Sequence, residues 1–455
     1  MTAIGNAPPA AAEGPAALAG RRPARRRTEL GLIILAAVIV GGLYALTGEG
    51  KAGSLPANIG PFLGVIFALL LVGHVAMRFL APEADPVLLP VAGLLNGIGY
   101  TFIARLSNAE ASAQALWSTI GMAAFVVTLL LVRRARDLAR YRYTWGAVGI
   151  GLLLLPLVPY IGENINGARL WIHIGSHEFQ PGEMAKLALA IFFAAAMVER
   201  SEQLSRGTRR LGRMLVIDPR YLAPVVGAWG LSMVIFVAEN DVGSSFLFFA
   251  MFLGMLWVAT NRTSYLAVGL GLFGAGGALA MKLIGHARAR VQGWLHPFAH
   301  ATTSGYQIVQ GLFAIANGGL FGTGPGQSNA ASILYATSDM IFAVVAEELG
   351  LAGVTALLAG YLIIVGTGLR IAIRLQDDFE KLLATGLSLI IGIQTFVIVG
   401  GVTRLIPLTG ITLPFVAYGG SSLISNYILL ALLLRISDTA NRPTHLVPSL
   451  DGATA

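Results

Sequence analysis

The 455-residue chain contains no cysteine, and charged residues make up only 12% of it. The absence of cysteine excludes disulfide bonds, a thiol nucleophile and thiolate ligands for a metal. A soluble globule of this length needs more polar surface than these residues can supply, because 55% of the chain is hydrophobic and the mean hydropathy is +0.73. The composition therefore predicts a membrane protein that crosses the bilayer several times.

Twelve apolar runs approach the length of about 20 residues that a helix needs to cross the hydrocarbon core. Their centres lie near Ala37, Ala68, Leu94, Ala123, Leu152, Ala190, Trp229, Met251, Leu272, Leu357, Ile393 and Leu432. Every segment on the side of the N-terminus carries arginine or lysine, including five arginines between Arg21 and Arg27. By the positive-inside rule this side is cytoplasmic, and both termini lie there. The net charge of +8 follows from this orientation and requires no nucleic-acid partner.

The expected fold class is all-α, a polytopic membrane protein of about 12 transmembrane helices, and the chain divides into four parts. Residues 1–28 are predicted to be a disordered basic tail in the cytoplasm. Residues 29–142 form a first group of spans, residues 143–436 form the core, and residues 437–455 form a second cytoplasmic tail. No cleavable signal is apparent before the first span.

The longest polar stretch between apolar runs covers residues 285–339 and is predicted to lie outside the cell. A loop of this length is usually functional or disordered, and its glycine-rich runs favour an ordered element with short or re-entrant helices. Glycine lets a backbone approach a ligand closely, and successive N–H groups can bind an anion. The stretch carries Arg290, His296, His300, Gln307 and Asp339. An ordinary exposed loop residue remains the alternative for either histidine.

Three further clusters lie on the same side, where ionisable groups near a bilayer are costly and usually functional. In the first, Pro181 suits a helix start, and Glu183 and Lys186 are spaced to pair on one helical face. Such a pair could equally be structural. Arg169, just before it, has a forked guanidinium suited to phosphate.

The second cluster contains Asp241, which could bind a ligand or simply cap a helix. The third covers residues 401–426, where Pro407, Gly410 and Pro414 break the chain before a span that begins near Ser421. Irregular backbone at membrane depth is tolerated where it lines a cavity. Basic groups and carboxylates on one face suit a lipid with a phosphate-bearing head.

Several segments together resemble the SEDS family, which includes RodA, FtsW and SpoVE, in order and spacing from about residue 143 to residue 435. These segments are NGARLWI, FQPGEMAK, DVGSS, GYQIVQ, GGLFGTGPGQS, SDMIFAVVAEELG and LIPLTGITLPFVAYGGSS. The two additional N-terminal spans resemble the RodA type of actinobacteria.

The resemblance implies a peptidoglycan glycosyltransferase that polymerises lipid II at the outer face of the cytoplasmic membrane, for cell elongation and shape or for division. It also implies a class B penicillin-binding protein as partner, and it leaves open whether a divalent cation takes part. The sequence shows no compact metal-binding motif. The residues expected to bind substrate are Arg169, Glu183, Lys186, Asp241, Arg290, Gln307 and Ser421.

The expected catalytic base is replaced in this chain. Family members carry an aspartate where this sequence has His300, and a carboxylate would deprotonate the attacking hydroxyl. Two residues are candidates for the base: His300, since a neutral imidazole can take a proton, and Asp339. A catalytically inactive scaffold that binds lipid II is a further alternative. A lipid II flippase is disfavoured because the ionisable groups crowd one face.

Overall fold

The computed structural model describes residues 15–54, 59–165, 168–175, 177–200, 208–211, 214–217, several positions between 227 and 239, and residues 241–442 except 284. Its helices are α1 Pro15–Ala52, α2 Ile59–Leu80, α3 Leu88–Leu106, α4 Asn108–Leu131, α5 Arg142–Leu154, α6 Pro181–Glu199, α7 Val242–Thr260, α8 Thr263–Leu283, α9 Gly285–Leu295, α10 Tyr306–Gly318, α11 Ile341–Arg374, α12 Asp378–Val402 and α13 Gly420–Asn441. Its strands are β1 Gly162–Ile165, β2 Ala168–Ile174, β3 His177–Phe179, β4 Thr208–Leu211 and β5 Met214–Ile217.

The helices confirm the predicted all-α, multi-pass membrane architecture. Eight described helices are long and apolar enough to cross a membrane, namely α1, α3, α4, α6, α7, α11, α12 and α13. Shorter apolar helices cover Gly64–Leu80 and Thr263–Ala275, and α5 has 13 residues. The predicted span near Trp229 lies outside the described residues. The count of twelve spans therefore stays a prediction.

Described helices extend into both predicted tails. Helix α1 begins at Pro15, inside the predicted tail of residues 1–28, and α13 continues to Asn441, inside the predicted tail of residues 437–455. Residues 1–14 and 443–455 lie outside the described part. The division of the chain into four parts remains a prediction.

The centre of the bundle is formed by α6, α12 and α13, which are the most buried of the eight spans. Small residues allow the helices to approach closely, as is usual in membranes. On α5, a Cβ at Gly146 or Gly149 would lie 2.9 Å from Phe192 or 2.8 Å from Leu189 on α6. The alanine-rich α6 is therefore covered closely on this side.

One end of the bundle, which we call the loop face, carries β1–β3, residues 285–340 and the segment between α12 and α13, residues 403–419. At the opposite end, the buried Arg435 of α13 donates hydrogen bonds to the carbonyls of Leu80, Leu129 and Val132 at 2.5, 2.5 and 2.7 Å. A guanidinium has five N–H donors, so one side chain satisfies the ends of both α2 and α4.

A break in α11 joins the loop face to the bundle. Gly350 has φ 63° and ψ −165°, a conformation essentially restricted to glycine. The amides of Thr323 and Gly324 donate to the carbonyls of Glu347 and Glu348 at 2.8 and 3.2 Å. After the break, the Leu351 and Ala352 amides donate to carbonyls in the same loop. The groups freed by the break are thus satisfied, as a buried or membrane environment requires.

We expect Gly350→Ala to destabilise the protein by about 1–3 kcal/mol, because a Cβ would be strained at this φ and would lie 2.3 Å from the amide nitrogen of Gly322. Gly366→Ala is the matched control on the same helix, since a Cβ there meets nothing within 4 Å. Unfolding by SDS in mixed micelles measures both variants. Equal stability of the two variants would contradict the assigned role of the break.

Candidate functional site

Asp241, Arg290 and Asp339 come together on the loop face from three separate parts of the chain. Asp241 is the N-cap of α7, where its Oδ1 accepts hydrogen bonds from the Gly243 and Ser244 amides at 3.0 and 3.1 Å. The capping alternative is therefore confirmed for Asp241. Its charge also acts on Asp339 and on Arg290.

Arg290 projects from α9 and binds the segment between α12 and α13. Its Nη1 donates to the carbonyl of Thr409 at 2.9 Å. The next residue, Gly410, lies between the Asp339 and Arg290 side chains: a Cβ there would be 3.6 Å from Asp339 Oδ2 and 3.8 Å from Arg290 Nη2. Gly410 has φ 74°. A guanidinium and a carboxylate thus meet beside exposed backbone at a position that favours glycine.

The surroundings of Asp339 raise the pKa of its carboxyl group toward neutrality. Burial raises the pKa of Asp339 to about 6, the Arg290 guanidinium works against this increase, and the Asp241 carboxylate adds to it. The side chain is surrounded by protein yet remains partly accessible to solvent. A carboxyl group with a pKa near neutrality can accept a proton from a reacting group at physiological pH.

A second cluster lies at the start of α6, which begins at Pro181 as predicted. Lys186 Nζ lies 2.5 Å from Glu183 Oε2, so the predicted pair forms. Lys186 also donates to Gln394 Oε1 at 3.0 Å, and Gln394 Nε2 donates to the carbonyl of Thr412 at 2.8 Å. Lys186 is only 1% exposed. The cluster therefore fastens α6 and α12 to the same 403–419 segment that Arg290 binds.

Two other predicted residues attach to these clusters through backbone hydrogen bonds. Ser421, at the start of α13, accepts a hydrogen bond from the Gln180 amide at 2.8 Å through its Oγ. The Arg169 amide in β2 donates to the carbonyl of Glu239 at 3.1 Å, two residues before Asp241. The strand that carries Arg169 is therefore adjacent to the α7 cap.

Gln307 and His300 are not joined to either cluster by a hydrogen bond or ion pair among the described residues. Gln307 lies in the first turn of α10, and its Nε2 is buried without a described partner. His300 ends the short 3₁₀ helix Pro297–His300, and its carbonyl accepts hydrogen bonds from the Thr303 and Gly305 amides at 3.0 and 2.9 Å. The contacts described for His300 are therefore hydrogen bonds that its carbonyl accepts within a turn.

Sequence reasoning missed three participants in the site, namely Gln394 and the carbonyls of Thr409 and Thr412. Gln394 had a usable signal, because an amide inside an apolar span usually faces the protein and bonds to a neighbouring helix. The two carbonyls gave no such signal in the sequence, because every residue has a backbone carbonyl. It also missed the buried pair of Arg105 and Glu348, whose side chains lie 2.6 Å apart.

We expect Lys186→Met to cost about 3–5 kcal/mol of stability, because it leaves the Glu183 carboxylate buried without its cation. Arg142→Met provides the control: Arg142 pairs with Glu199 at 2.7 Å, but both side chains are 30% or more exposed, so the loss there is about 1 kcal/mol or less. SDS unfolding curves give both values. Similar losses for the two variants would show that the Lys186 pair does not support the fold.

Comparison with known proteins gives a consistent set of relatives. A model of the FtsW, RodA and SpoVE group, described as cell cycle proteins, matches residues 88–442. The peptidoglycan glycosyltransferase RodA of Mycobacterium tuberculosis is 42% identical over 447 residues, which cover 96% of this chain and 95% of that protein. The match to the group begins at the first residue of α3, so α1 and α2 lie outside it.

Two solved structures share the fold. A chain from a peptidoglycan synthase complex, studied for its coordination of polymerization and crosslinking, has a TM-score of 0.65 and 24% identity, covering 79% of this chain and 99% of that one. The crystal structure of the rod shape determining protein RodA of Thermus thermophilus has a TM-score of 0.56 and 25% identity, covering 79% and 98%.

Proposed function

Since this chain belongs to the FtsW, RodA and SpoVE family of cell cycle proteins, we propose that it is a peptidoglycan glycosyltransferase that polymerises lipid II. The observation that carries the proposal is the meeting of Asp339 and Arg290 beside Gly410 on the loop face. A base and a cation at one site match the two demands of glycosyl transfer to a hydroxyl with loss of a pyrophosphate.

In the proposed reaction, Asp339 takes the proton of the acceptor GlcNAc 4-hydroxyl as its oxygen attacks C1 of the donor MurNAc. The bond between C1 and the pyrophosphate oxygen breaks, and undecaprenyl pyrophosphate leaves with the electron pair. The Arg290 guanidinium stabilises the charge that develops on the leaving group. Arg169, on the strand joined to Glu239, supplies a second forked donor for the phosphates.

Exposure separates the residues that contact substrate from those that support them. Asp339, Arg290 and Arg169 are partly accessible, whereas Glu183, Lys186, Asp241 and Ser421 are each at least nine-tenths buried. We assign the buried set to positioning: Lys186 holds Gln394 and the 403–419 segment, and Asp241 caps α7 and tunes Asp339. For these buried residues, a supporting role therefore replaces the predicted contact with substrate.

His300 favours one alternative function. It stands where the family has an aspartate, and no described hydrogen bond joins it to the Asp339 cluster. A relative that binds lipid II and organises its partners without turnover is the second candidate. Our preference for activity rests on the raised pKa and the accessibility of Asp339.

The partner and orientation follow from the same proposal. A class B penicillin-binding protein would crosslink the chains that this protein makes, in keeping with the synthase complex whose chain shares its fold. The loop face would lie outside the cytoplasmic membrane of a bacterium, with both termini inside, because arginines crowd the opposite segments.

We expect Asp339→Asn to reduce polymerisation of labelled lipid II by about 10²–10⁴-fold, the usual contribution of a general base, and His300→Ala to leave it within a few-fold of wild type. Asp378→Asn, an exposed aspartate at the other end of the bundle, is the matched control. Glycan products are resolved by gel electrophoresis with the protein and its partner reconstituted together. Loss of polymer in His300→Ala and not in Asp339→Asn would assign the base to His300, and no polymer from wild type would favour the scaffold.

The rate should also depend on pH through Asp339. Because the ionised carboxylate is the base, kcat/KM should rise as pH increases through about 6. The Arg290 charge lowers the pKa of Asp339, so Arg290→Gln should move the rise to higher pH, whereas Arg290→Lys, which keeps the charge, should leave it near the wild-type position. A rise that stays in place in Arg290→Gln would remove Asp339 from the role of base.

A further inference from the structure

The three-stranded sheet on the loop face presents three metal-ligating side chains that the proposed reaction does not use. Strands β1, β2 and β3 are antiparallel in that order. Glu163 on β1 pairs with Trp171 on β2, and His173 on β2 pairs with Glu178 on β3. Because paired residues and residues two apart share one face of a sheet, Glu163, His173 and Glu178 all project from the same side.

The side chains converge as this register requires. His173 Nδ1 lies 3.1 Å from Glu163 Oε2, and one ligand atom from each of the three residues lies within 4.8 Å of the other two. In tetrahedral zinc sites with bonds of about 2.0–2.2 Å, neighbouring ligand atoms are about 3.3–3.6 Å apart. The His173–Glu163 separation of 3.1 Å is slightly shorter than this range, so the two side chains need to move apart only a little. A rotation of the exposed Glu178 side chain would bring in the third ligand.

We propose that Glu163, His173 and Glu178 form a binding site for a divalent transition-metal ion of the Zn²⁺ type on the loop face. One imidazole and two carboxylates are ligands that zinc accepts, and they leave one position for water. The two carboxylates neutralise the ion, and their mutual repulsion is relieved when it binds. Mg²⁺ and Ca²⁺ fit less well, because both prefer all-oxygen ligand sets.

An ion bound to this sheet would affect the structure around it, because the sheet also carries Arg169. Arg169 is on the same strand as His173, and its amide is bonded to Glu239 beside the α7 cap. Burial raises the pKa of Tyr418, and the charges of Glu110 and Glu178 raise it further. Glu178 therefore lies close to Tyr418, at the end of the 403–419 segment. An ion that ties the three strands together would therefore hold the strand that carries Arg169. This inference does not depend on the catalytic role of Asp339.

The test is isothermal titration of the purified full-length protein in nanodiscs with Zn²⁺, after chelator treatment. We expect one site per chain in wild type and at least about a tenfold loss of affinity in each of Glu163→Gln, His173→Ala and Glu178→Gln, since even supporting residues of metal sites contribute 10–100-fold. His296→Ala and Glu49→Gln, which remove an exposed histidine and an exposed carboxylate elsewhere, are the matched controls. Mg²⁺ in the same titration should bind far more weakly.

Equal affinity in wild type and in the three ligand variants would overturn the proposal, as would loss of affinity in the controls to the same extent. A second measurement on wild type avoids dependence on the folding of any variant. Cu²⁺ added as a spectroscopic probe should show ¹⁴N modulation from a bound imidazole by electron spin echo, and a spectrum without imidazole nitrogen would also overturn it. Because both readouts measure metal binding alone, their outcome is independent of whether the protein polymerises lipid II.

Discussion

The loop face depends on the requirement that every backbone group buried near a membrane finds a partner. The segment between α12 and α13 has no helix or strand of its own to satisfy it, so side chains do so from outside. Arg290 reaches the Thr409 carbonyl from α9, and Gln394 reaches the Thr412 carbonyl from α12. Because Lys186 in turn fixes Gln394, the geometry of the site is set by contacts that also stabilise the fold. Most substitutions of these residues would therefore change both the geometry of the site and the stability of the fold.

The polar side chains of the site divide into an accessible layer and a buried layer. The buried layer has paired charges and capped amides, as the cost of desolvating an ion requires. The accessible layer contains Asp339 and Arg290, which meet across Gly410 without a direct hydrogen bond in the described structure. A carboxyl group that keeps some contact with solvent while its pKa approaches neutrality is prepared for proton transfer. The buried layer thus holds the accessible layer in position.

Glu348, two residues before the break of α11 at Gly350, takes part in a set of contacts that joins α1 to this face. The Glu348 carboxylate accepts hydrogen bonds from the Gly326 amide and Ser328 Oγ at 2.6 and 2.7 Å, and it pairs with Arg105 at the end of α3. Lys51, at the end of α1, donates to the carbonyl of Arg105 at 2.7 Å. Helix α1, which lies outside the family match, is thereby joined to the loop that precedes Asp339.

Composition and local spacing were enough to predict the membrane architecture, the helix start at Pro181, the Glu183–Lys186 pair and the gathering of charged motifs on one face. These features follow from local composition and from spacing of three or four residues, which a linear pattern records. The folded chain was needed to show that Asp339 and not His300 lies beside Arg290, that Lys186 bonds to Gln394, and that Glu163, His173 and Glu178 converge. Each of these depends on pairing between segments far apart in the chain or on the register of a sheet. Side-chain contacts of that kind arise from packing and backbone hydrogen bonds, which the order of residues does not display.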